Sequence, residues 1–153
     1  MNKLIFVGSD HAGYAFKLAL IDKLKLKFPA LTFQDVGCNS EQSCDYPEYS
    51  EKVATQVVEH QAKGILICGS GIGVAIAANK VPGIRAATVW DVRSAVLSKE
   101  HNNTNVIALG ARLVEPQVAF EACSSWLVAE FAGGRHQQRI DLISKLEKKY
   151  GTP

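Results

Sequence analysis

The stretch "GILICGSGIG", residues 64–73, places a cysteine at the end of an apolar run and then three glycines at every second position. The run 64–68 predicts a buried strand, and the glycines predict a tight turn into a short helix that ends at about Asn79. Backbone N–H groups converge at such a turn and favour negative charge, either a phosphate or an enolate formed during a reaction. The turn also favours the thiolate form of Cys68, which suits a base or a nucleophile. Free cysteines are equally common as small buried core residues, so this stretch alone leaves both roles open.

Apolar runs alternate with longer amphipathic stretches along the rest of the chain. They predict five strands, at 3–9, 31–37, 64–68, 83–90 and 105–110. Helices are predicted at 12–28, at 47–62, just after the glycines, at 91–100 and at 115–131, and a last helix carries Ile140, Ile143 and Leu146. Strands that are apolar on both faces and joined by helices indicate a covered parallel sheet. We therefore predict an α/β fold over 1–153: one Rossmann-like domain with a doubly wound five-stranded parallel sheet, helices on both faces and an extended C-terminal helix.

Composition excludes several classes of protein. The 153 residues are 47% hydrophobic and 21% charged, with a net charge of +2, which does not indicate a nucleic-acid or membrane partner. The beginning of the chain does not resemble a signal peptide and no apolar run is long enough to cross a membrane, so we expect a cytoplasmic protein. We expect the four cysteines to be reduced, because no export signal is recognised, and their lack of Cys-x-x-Cys spacing speaks against a zinc site.

Polar residues that follow the predicted strands mark a candidate site, because ligands of such sheets bind at the carboxyl ends of the strands. Asp10 and His11 follow the first strand, although Asp10 is also suited to cap a helix. His101 precedes the fifth strand, and histidine is the side chain most often used for proton transfer, which makes it a candidate for that role. Arg135 and Arg139 are four residues apart, so they would share one face of the last helix if that helix begins there. With Arg112 they suit a phosphate, and a surface basic patch is the alternative.

Nucleotide-binding motifs fit poorly. The pattern G-x-x-x-x-G-K-[ST] is absent. The spacing of the glycines at 69, 71 and 73, G-x-G-x-G, is one residue shorter than the dinucleotide fingerprint G-x-G-x-x-G. Asp91 lies about 20 residues further on, where such enzymes have an acid that binds the ribose. A nicotinamide enzyme therefore remains a weak alternative.

Eight motifs together resemble one enzyme family. They are "SDHAG" (9–13), "DYP" (45–47), "CGSGIG" (68–73), "AANK" (77–80), "GIRAA" (83–87), "HNNTN" (101–105), "GAR" (110–112) and "GGRHQQR" (133–139). In this order they are similar to ribose-5-phosphate isomerase of the B type, a family that includes the galactose-6-phosphate isomerase subunits. The resemblance runs from the first strand to the last helix.

The resemblance implies an aldose–ketose isomerase that interconverts D-ribose 5-phosphate and D-ribulose 5-phosphate without a metal or organic cofactor. Cys68 would be the base that moves a proton between C2 and C1 through a cis-enediolate. His101 would help to open the furanose ring. The amides of the turn would hold the oxyanion; its residues are Gly69, Ser70, Gly71, Ile72 and Gly73.

The resemblance also implies the remaining contacts. Asp10, His11 and Asn102 would bind the sugar, and Asp45 is a further candidate for orienting the ring oxygen or hydroxyls. The phosphate would lie among Arg112, Arg135 and Arg139. The family forms homodimers, sometimes tetramers, and each active site is built from both chains, so some of these residues are expected to meet only across a subunit interface.

Two positions separate this chain from branches of the family. Relatives often have threonine where Ser70 stands, and the hydroxyl is kept. One branch replaces the cysteine by serine and uses a glutamate as base, at the position where this chain has Val74. Cys68, the His101–Asn102 pair and the arginine-rich motif are all present, which favours a pentose phosphate. A six-carbon substrate, allose 6-phosphate or galactose 6-phosphate, and a non-catalytic phosphosugar-binding module remain the alternatives.

Overall fold

The computed structural model describes residues 3–151, and its strands form one five-stranded sheet. All the neighbouring strands pair in parallel, in the order β2-β1-β3-β5-β4. The strands are β1 (Leu4–Ser9), β2 (Thr32–Asp35), β3 (Lys63–Cys68), β4 (Ala86–Thr88) and β5 (Val106–Gly110). The predicted parallel α/β sheet is therefore confirmed.

Helices connect the strands and cover both faces of the sheet. A single 3₁₀ turn (His11–Gly13) leads into α1 (Tyr14–Lys27), and the others are α2 (Tyr46–His60), α3 (Ile72–Ala78), α4 (Val92–Asn102), α5 (Pro116–Val128) and α6 (Arg135–Tyr150). Within residues 3–151 no helix is both long and apolar enough to cross a membrane.

Alternate residues of each central strand enter two separate cores, as the period of two in a strand requires. On one face Ile65 and Ile67 pack in a cluster with Leu24 of α1 and with Trp126 of α5, which is fully buried. On the other face Leu66 belongs to a cluster with residues of α2 and α3. The central strand is therefore covered on both sides, which explains its unbroken apolar sequence.

The two outer strands are shorter than predicted. In place of 83–90, β4 comprises three residues, because Gly83 has a φ of +88° and the amide of Ile84 bonds to the carbonyl of Val81 at 3.1 Å. Trp90 and Asp91 at the other end are used to begin α4, since both amides donate to the Ser94 hydroxyl. In β2 only Phe33 is buried, so this edge strand is not apolar on both faces as expected.

The strand order fixes the place of a binding site. From β1 the chain moves outward to β2, and then returns past β1 to β3 on its other side. Such a reversal leaves a crevice at the carboxyl ends of the two strands. Here those ends are Ser9, with Asp10 directly after it, and Cys68.

Candidate functional site

Cys68 is the last residue of β3, and its sulfur accepts a hydrogen bond from the turn that follows. The strand lies between β1 and β5, and the Cys68 side chain is buried. The amide of Gly71 donates to the sulfur at 3.2 Å. An amide donor at this distance would stabilise negative charge on the sulfur. The geometry therefore suits a thiol that becomes a thiolate.

Two pairs of backbone amides in the turn differ in their hydrogen bonding. Those of Gly71 and Ile72 are already engaged, the first by Cys68 and the second by the Ser70 hydroxyl at 3.2 Å. For the amides of Gly69 and Ser70 the structure shows no acceptor within residues 3–151. These two donors are thus available to a ligand beside the thiol.

The turn requires glycine at position 71. Gly71 has a φ of +75°, in the left-handed region, and begins α3 as its N-cap. A Cβ there would lie 2.7 Å from the backbone carbon of Leu109 and 2.9 Å from the amide nitrogen of Gly110. The turn is therefore pressed against the end of β5, and this contact fixes where its amides lie.

A cavity of about 360 Å³ opens above the Cys68 sulfur. Its lining comprises Asp10, Tyr46, Cys68, Gly69, Ser70, Gly73, Arg112 and Leu113. Tyr46 is a residue that sequence reasoning missed, although it lies within the "DYP" motif. Its ring would be 2.7 Å from a Cβ on Gly73, so the glycine makes room for it. The neighbouring Asp45 is exposed, caps no amide of α2 with its side chain, and does not line this cavity.

Asp10 and His11 are held in place by backbone groups. Asp10 is buried and accepts from the amide of Gly13 at 3.1 Å, so it is a cap as well as a lining residue. The amide of Cys44 donates to Nδ1 of His11 at 3.2 Å. A neutral His11 therefore carries its proton on Nε2. This gives Cys44, for which the sequence offers no role, a part in orienting His11.

Arg112 places a positive charge beside the turn. Arg112 follows β5, and its amide donates to the carbonyl of Gly69 at 3.0 Å. Its guanidinium lies against Gly69, because a Cβ added to this glycine would be 3.1 Å from Nη1 of Arg112. A cation at the rim of the cavity suits an anionic ligand.

His101 lies elsewhere in the chain, in the last turn of α4. Its ring stacks on His136, with centroids 4.2 Å apart and planes 11° apart. Burial lowers the pKa of His136, and the positive charges of His101, Arg135 and Arg139 lower it further. His136 is the second residue that sequence reasoning missed, although it stands within "GGRHQQR".

The other predicted phosphate ligands lie on the His101 side of the molecule. Arg135 is the first residue of α6, so the helix begins at the position that lets the two arginines share one face, and both Arg135 and Arg139 are exposed. Asn102 is the last residue of α4, and its carbonyl accepts from Nε of Arg85.

The predicted site residues thus fall into two groups within one chain. His101 and Asn102 line a second cavity of about 560 Å³, which shares no lining residue with the Cys68 cavity. Thr88 lies between the two: it lines the His101 cavity, and its hydroxyl donates to the carbonyl of Gly71 at 2.9 Å. The structure brings Asp10, the turn and Arg112 together with Cys68, and it does not bring His101, Arg135 or Arg139 there.

A third cavity, of about 540 Å³, is lined by three basic side chains, two of which lie where strands begin: Lys63 at the start of β3, Arg85 just before β4, and Lys99. Arg85 and Lys99 bond to Asn103 at the end of α4, and Lys63 donates to the carbonyl of Leu127 in the last turn of α5. Positive groups at the C-terminal ends of helices complement the exposed carbonyls there. This cluster therefore has a structural explanation.

No metal site is visible among residues 3–151, since no group of three or more His, Cys, Asp or Glu side chains is arranged to hold an ion. Cys123 is fully buried in the core, and burial raises the pKa of its thiol, so it is an inert packing residue.

Comparison with known families gives a match over most of the chain. Residues 5–143 match the family described as Ribose/Galactose Isomerase. The chain is 41% identical over 150 residues to ribose-5-phosphate isomerase B of Escherichia coli, which covers 97% of this chain and 99% of that protein.

Solved structures agree with this match. The structure of ribose-5-phosphate isomerase B from Clostridium thermocellum has a TM-score of 0.93 and 45% identity, over 96% of this chain and 99% of the other. That of ribose-5-phosphate isomerase B from Mycoplasma genitalium, with bound ribulose-5-phosphate, has a TM-score of 0.90 and 40% identity, over 95% and 97%.

Proposed function

Because the chain belongs to the ribose/galactose isomerase family and is an isomerase, we propose that it interconverts D-ribose 5-phosphate and D-ribulose 5-phosphate with Cys68 as the base. One observation carries the assignment of the base. The Cys68 sulfur is buried at a strand end, accepts from the amide of Gly71 at 3.2 Å, and faces a cavity with a cation at its rim. This is where a thiolate and a phosphorylated sugar can meet.

The reaction moves one proton between two carbons of the open-chain sugar. The Cys68 thiolate takes the proton from C2 of the aldehyde, and the electrons of the C–H bond form the C1–C2 double bond of a cis-enediolate. The thiol returns a proton to C1, and the hydroxyl proton of O2 passes to O1, so that C2 becomes the ketone. No oxidant, reductant or further reactant is consumed.

The charge of the enediolate needs donors beside the thiol. The amides of Gly69 and Ser70 are suited to this, since they have no acceptor among the described residues, whereas those of Gly71 and Ile72 already have one. Gly73 lines the same cavity. We thus assign the oxyanion to the first two amides of the turn.

Ring opening is assigned to His101. The furanose form of ribose 5-phosphate cannot form an enediolate until the bond between C1 and the ring oxygen breaks, which requires a proton on that oxygen and loss of one from the C1 hydroxyl. A histidine can supply and accept these protons near neutral pH. Asn102, beside it on α4, would contact the sugar, as would Asp10, His11 and Asp45.

A shared site accounts for the separation of the two groups. We propose a homodimer in which Cys68 and Arg112 of one subunit face His101, Arg135 and Arg139 of the other. Large apolar side chains are exposed near both cavities, Trp90 at 65% and Leu113 at 70%. Apolar surface of this kind is typical of contact regions between subunits.

Cys68→Ala tests the assignment of the base. We expect turnover of ribose 5-phosphate to fall by at least about a thousandfold, because no other group replaces the base, while substrate still protects the variant against thermal unfolding. Cys123→Ala is the matched control, since it removes a thiol from the core and should lower stability but not kcat. Near-normal activity of Cys68→Ala would refute the mechanism.

The pentose itself is tested by comparing kcat/KM for ribose 5-phosphate, allose 6-phosphate and galactose 6-phosphate. A preference for the pentose is expected. A preference for a hexose phosphate would keep the chemistry and change the substrate, and absence of turnover on all three by a folded protein would favour a binding module.

A further inference from the structure

We propose that His136 is a positioning residue for His101: its ring stacks on the His101 ring and fixes the plane in which the two nitrogens of His101 lie. The proposal rests on the ring-opening role given to His101. The observation that carries it is the near-parallel stack, with centroids 4.2 Å apart and planes 11° apart.

Two helices bring the rings together. His101 is in the last turn of α4, and His136 is in the first turn of α6. The segment that precedes α6 is tied to α4, because the amide of Ala132 donates to the carbonyl of Glu100 at 2.9 Å. The neighbouring residues Arg135 and Gln137 are exposed, whereas His136 is buried. Of these three consecutive residues, His136 is therefore the one whose side chain is buried.

The stack limits how the His101 imidazole can rotate. A parallel ring at contact distance blocks rotation about the bond that joins the imidazole to its Cβ, since an edge of the turning ring would collide with it. A proton-transfer group must hold its nitrogen within about 3 Å of the atom it serves. Loss of the neighbouring ring would leave His101 present but poorly aimed.

A neutral His136 suits this role. Two facing imidazolium rings would repel each other. The pKa of His136 is lowered by its burial and by the charges of Arg135, Arg139 and a protonated His101, which favours the neutral form of this ring. His101 can then take up a proton during ring opening without a second full charge on the adjacent ring.

The chemistry offers a way to isolate ring opening. D-Ribulose 5-phosphate cannot close to a furanose, because its C5 hydroxyl carries the phosphate. Exchange of its C1 proton in D₂O therefore reports on Cys68 and the enediolate without any ring opening. Turnover of ribose 5-phosphate includes both steps.

We would measure both rates for His136→Ala and His136→Phe. His136→Ala is expected to lower kcat for ribose 5-phosphate by about tenfold through misorientation of His101, with C1 exchange of ribulose 5-phosphate unchanged. His136→Phe restores a flat ring, so kcat should return to within about threefold of the wild-type value. Gln137→Ala, an exposed neighbour, is the control for changes in α6, and thermal unfolding checks that each variant is folded.

Several outcomes would overturn the proposal. Wild-type kcat in His136→Ala would show that the stack is not needed. A phenylalanine variant as slow as the alanine variant would show that a flat ring is not what His136 supplies. An equal loss of C1 exchange would place the defect in the enediolate step or in the fold. Failure of the ring-opening role is distinguished by His101→Asn: if that variant turns over ribose 5-phosphate normally, the role of His101 is wrong, and the role of His136 fails with it.

Discussion

Gly71 donates its amide to the Cys68 sulfur at 3.2 Å and is at the same time the left-handed N-cap of α3. The group that would hold charge on the thiol thus depends on a backbone conformation that few residues other than glycine adopt. Stability and activity are therefore coupled at this position.

Gly71→Ala is expected to reduce both the stability of the fold and the activity of the thiol. An alanine at a φ of +75° costs about 1–2 kcal/mol, and its Cβ would lie 2.7 Å from the backbone of Leu109, which adds about 1–3 kcal/mol of overpacking. Urea unfolding gives the change in free energy of unfolding, and kcat gives the effect on the thiol. Gly133→Ala is the matched control, since Gly133 has a φ of +65° but, in the described part of the chain, no atom within 4 Å of the added Cβ. An equal loss in both variants would show that contact with β5 does not matter.

Lys17→Met tests a buried charge that the sequence did not reveal. Lys17 is fully buried, its ammonium lies 2.5 Å from Asp35 and donates to the carbonyl of Cys38 at 2.7 Å. The methionine leaves that carbonyl and Asp35 without this partner, so we expect the free energy of unfolding to fall by about 3 kcal/mol. Urea unfolding measures it, with exposed Lys25→Met as control. A loss as small as that of Lys25→Met would mean that water replaces the ammonium without cost.

The behaviour of Lys17 shows what periodicity predicts and what it does not. The helix predicted at 12–28 rests on apolar residues at every fourth position, namely Phe16, Leu20, Leu24 and Phe28, and the structure has α1 in this range, because a buried helical face needs apolar residues on one stripe. This spacing could not place Lys17 inside, since the carboxylate and carbonyl that receive the ammonium come from β2 and from the segment after it. Such pairing depends on tertiary contacts that leave no local pattern.

The candidate site divides in the same way. The turn 68–73 and its strand could be predicted, since apolar runs and glycines act over a few residues. Tyr46 and His136 were missed although both lie in quoted motifs, because their importance comes from what they contact, Gly73 and His101. The separation of Cys68 from His101 also depends on the strand order, in which β5 lies between β3 and β4.

Lys99 should make stability depend on pH above neutrality. Burial and, to a smaller extent, the charges of Lys63 and Arg85 together lower its pKa from the ordinary 10.5 to about 8. Between pH 8 and 10.5 the unfolded chain therefore binds more protons at this site than the folded one, and the contribution of Lys99 to stability rises with pH. Below pH 8 Lys99 is charged in both the folded and the unfolded chain, so the full cost of burying its charge lowers the stability of the fold.

The measurement is urea unfolding of wild type and Lys99→Met at pH 7, 8, 9 and 10. The stability of the wild type relative to the variant should increase across this series. Only the wild type carries the cost of a buried Lys99 charge, and this cost disappears as Lys99 loses its proton. Lys25→Met, at an exposed position, should show no such trend relative to wild type. Parallel curves for wild type and Lys99→Met would contradict the lowered pKa.

Arg139→Ala is expected to raise KM for ribose 5-phosphate about 10- to 100-fold and to change kcat little. An arginine that holds the phosphate equally well before and during the reaction contributes to binding alone. Steady-state kinetics at fixed salt measures this, with Lys145→Ala as a charge-matched control on the same helix. A loss confined to kcat would contradict the phosphate role.

Mixing two inactive variants tests whether the sites are shared. If Cys68 and His101 of different subunits form each site, a hybrid dimer of Cys68→Ala and His101→Asn subunits has one site with both defects and one with neither. Random exchange of subunits makes about half of the dimers hybrid, so activity should recover to about a quarter of the wild-type value. If each chain forms its own site, every site keeps one defect and no activity returns.

Subunits are exchanged by mild urea and dialysis, and a mixture of Cys68→Ala with Cys68→Ser, which has no intact site in any arrangement, is the control. Recovery in the first mixture but not in the second would show that Cys68 and His101 act across the interface.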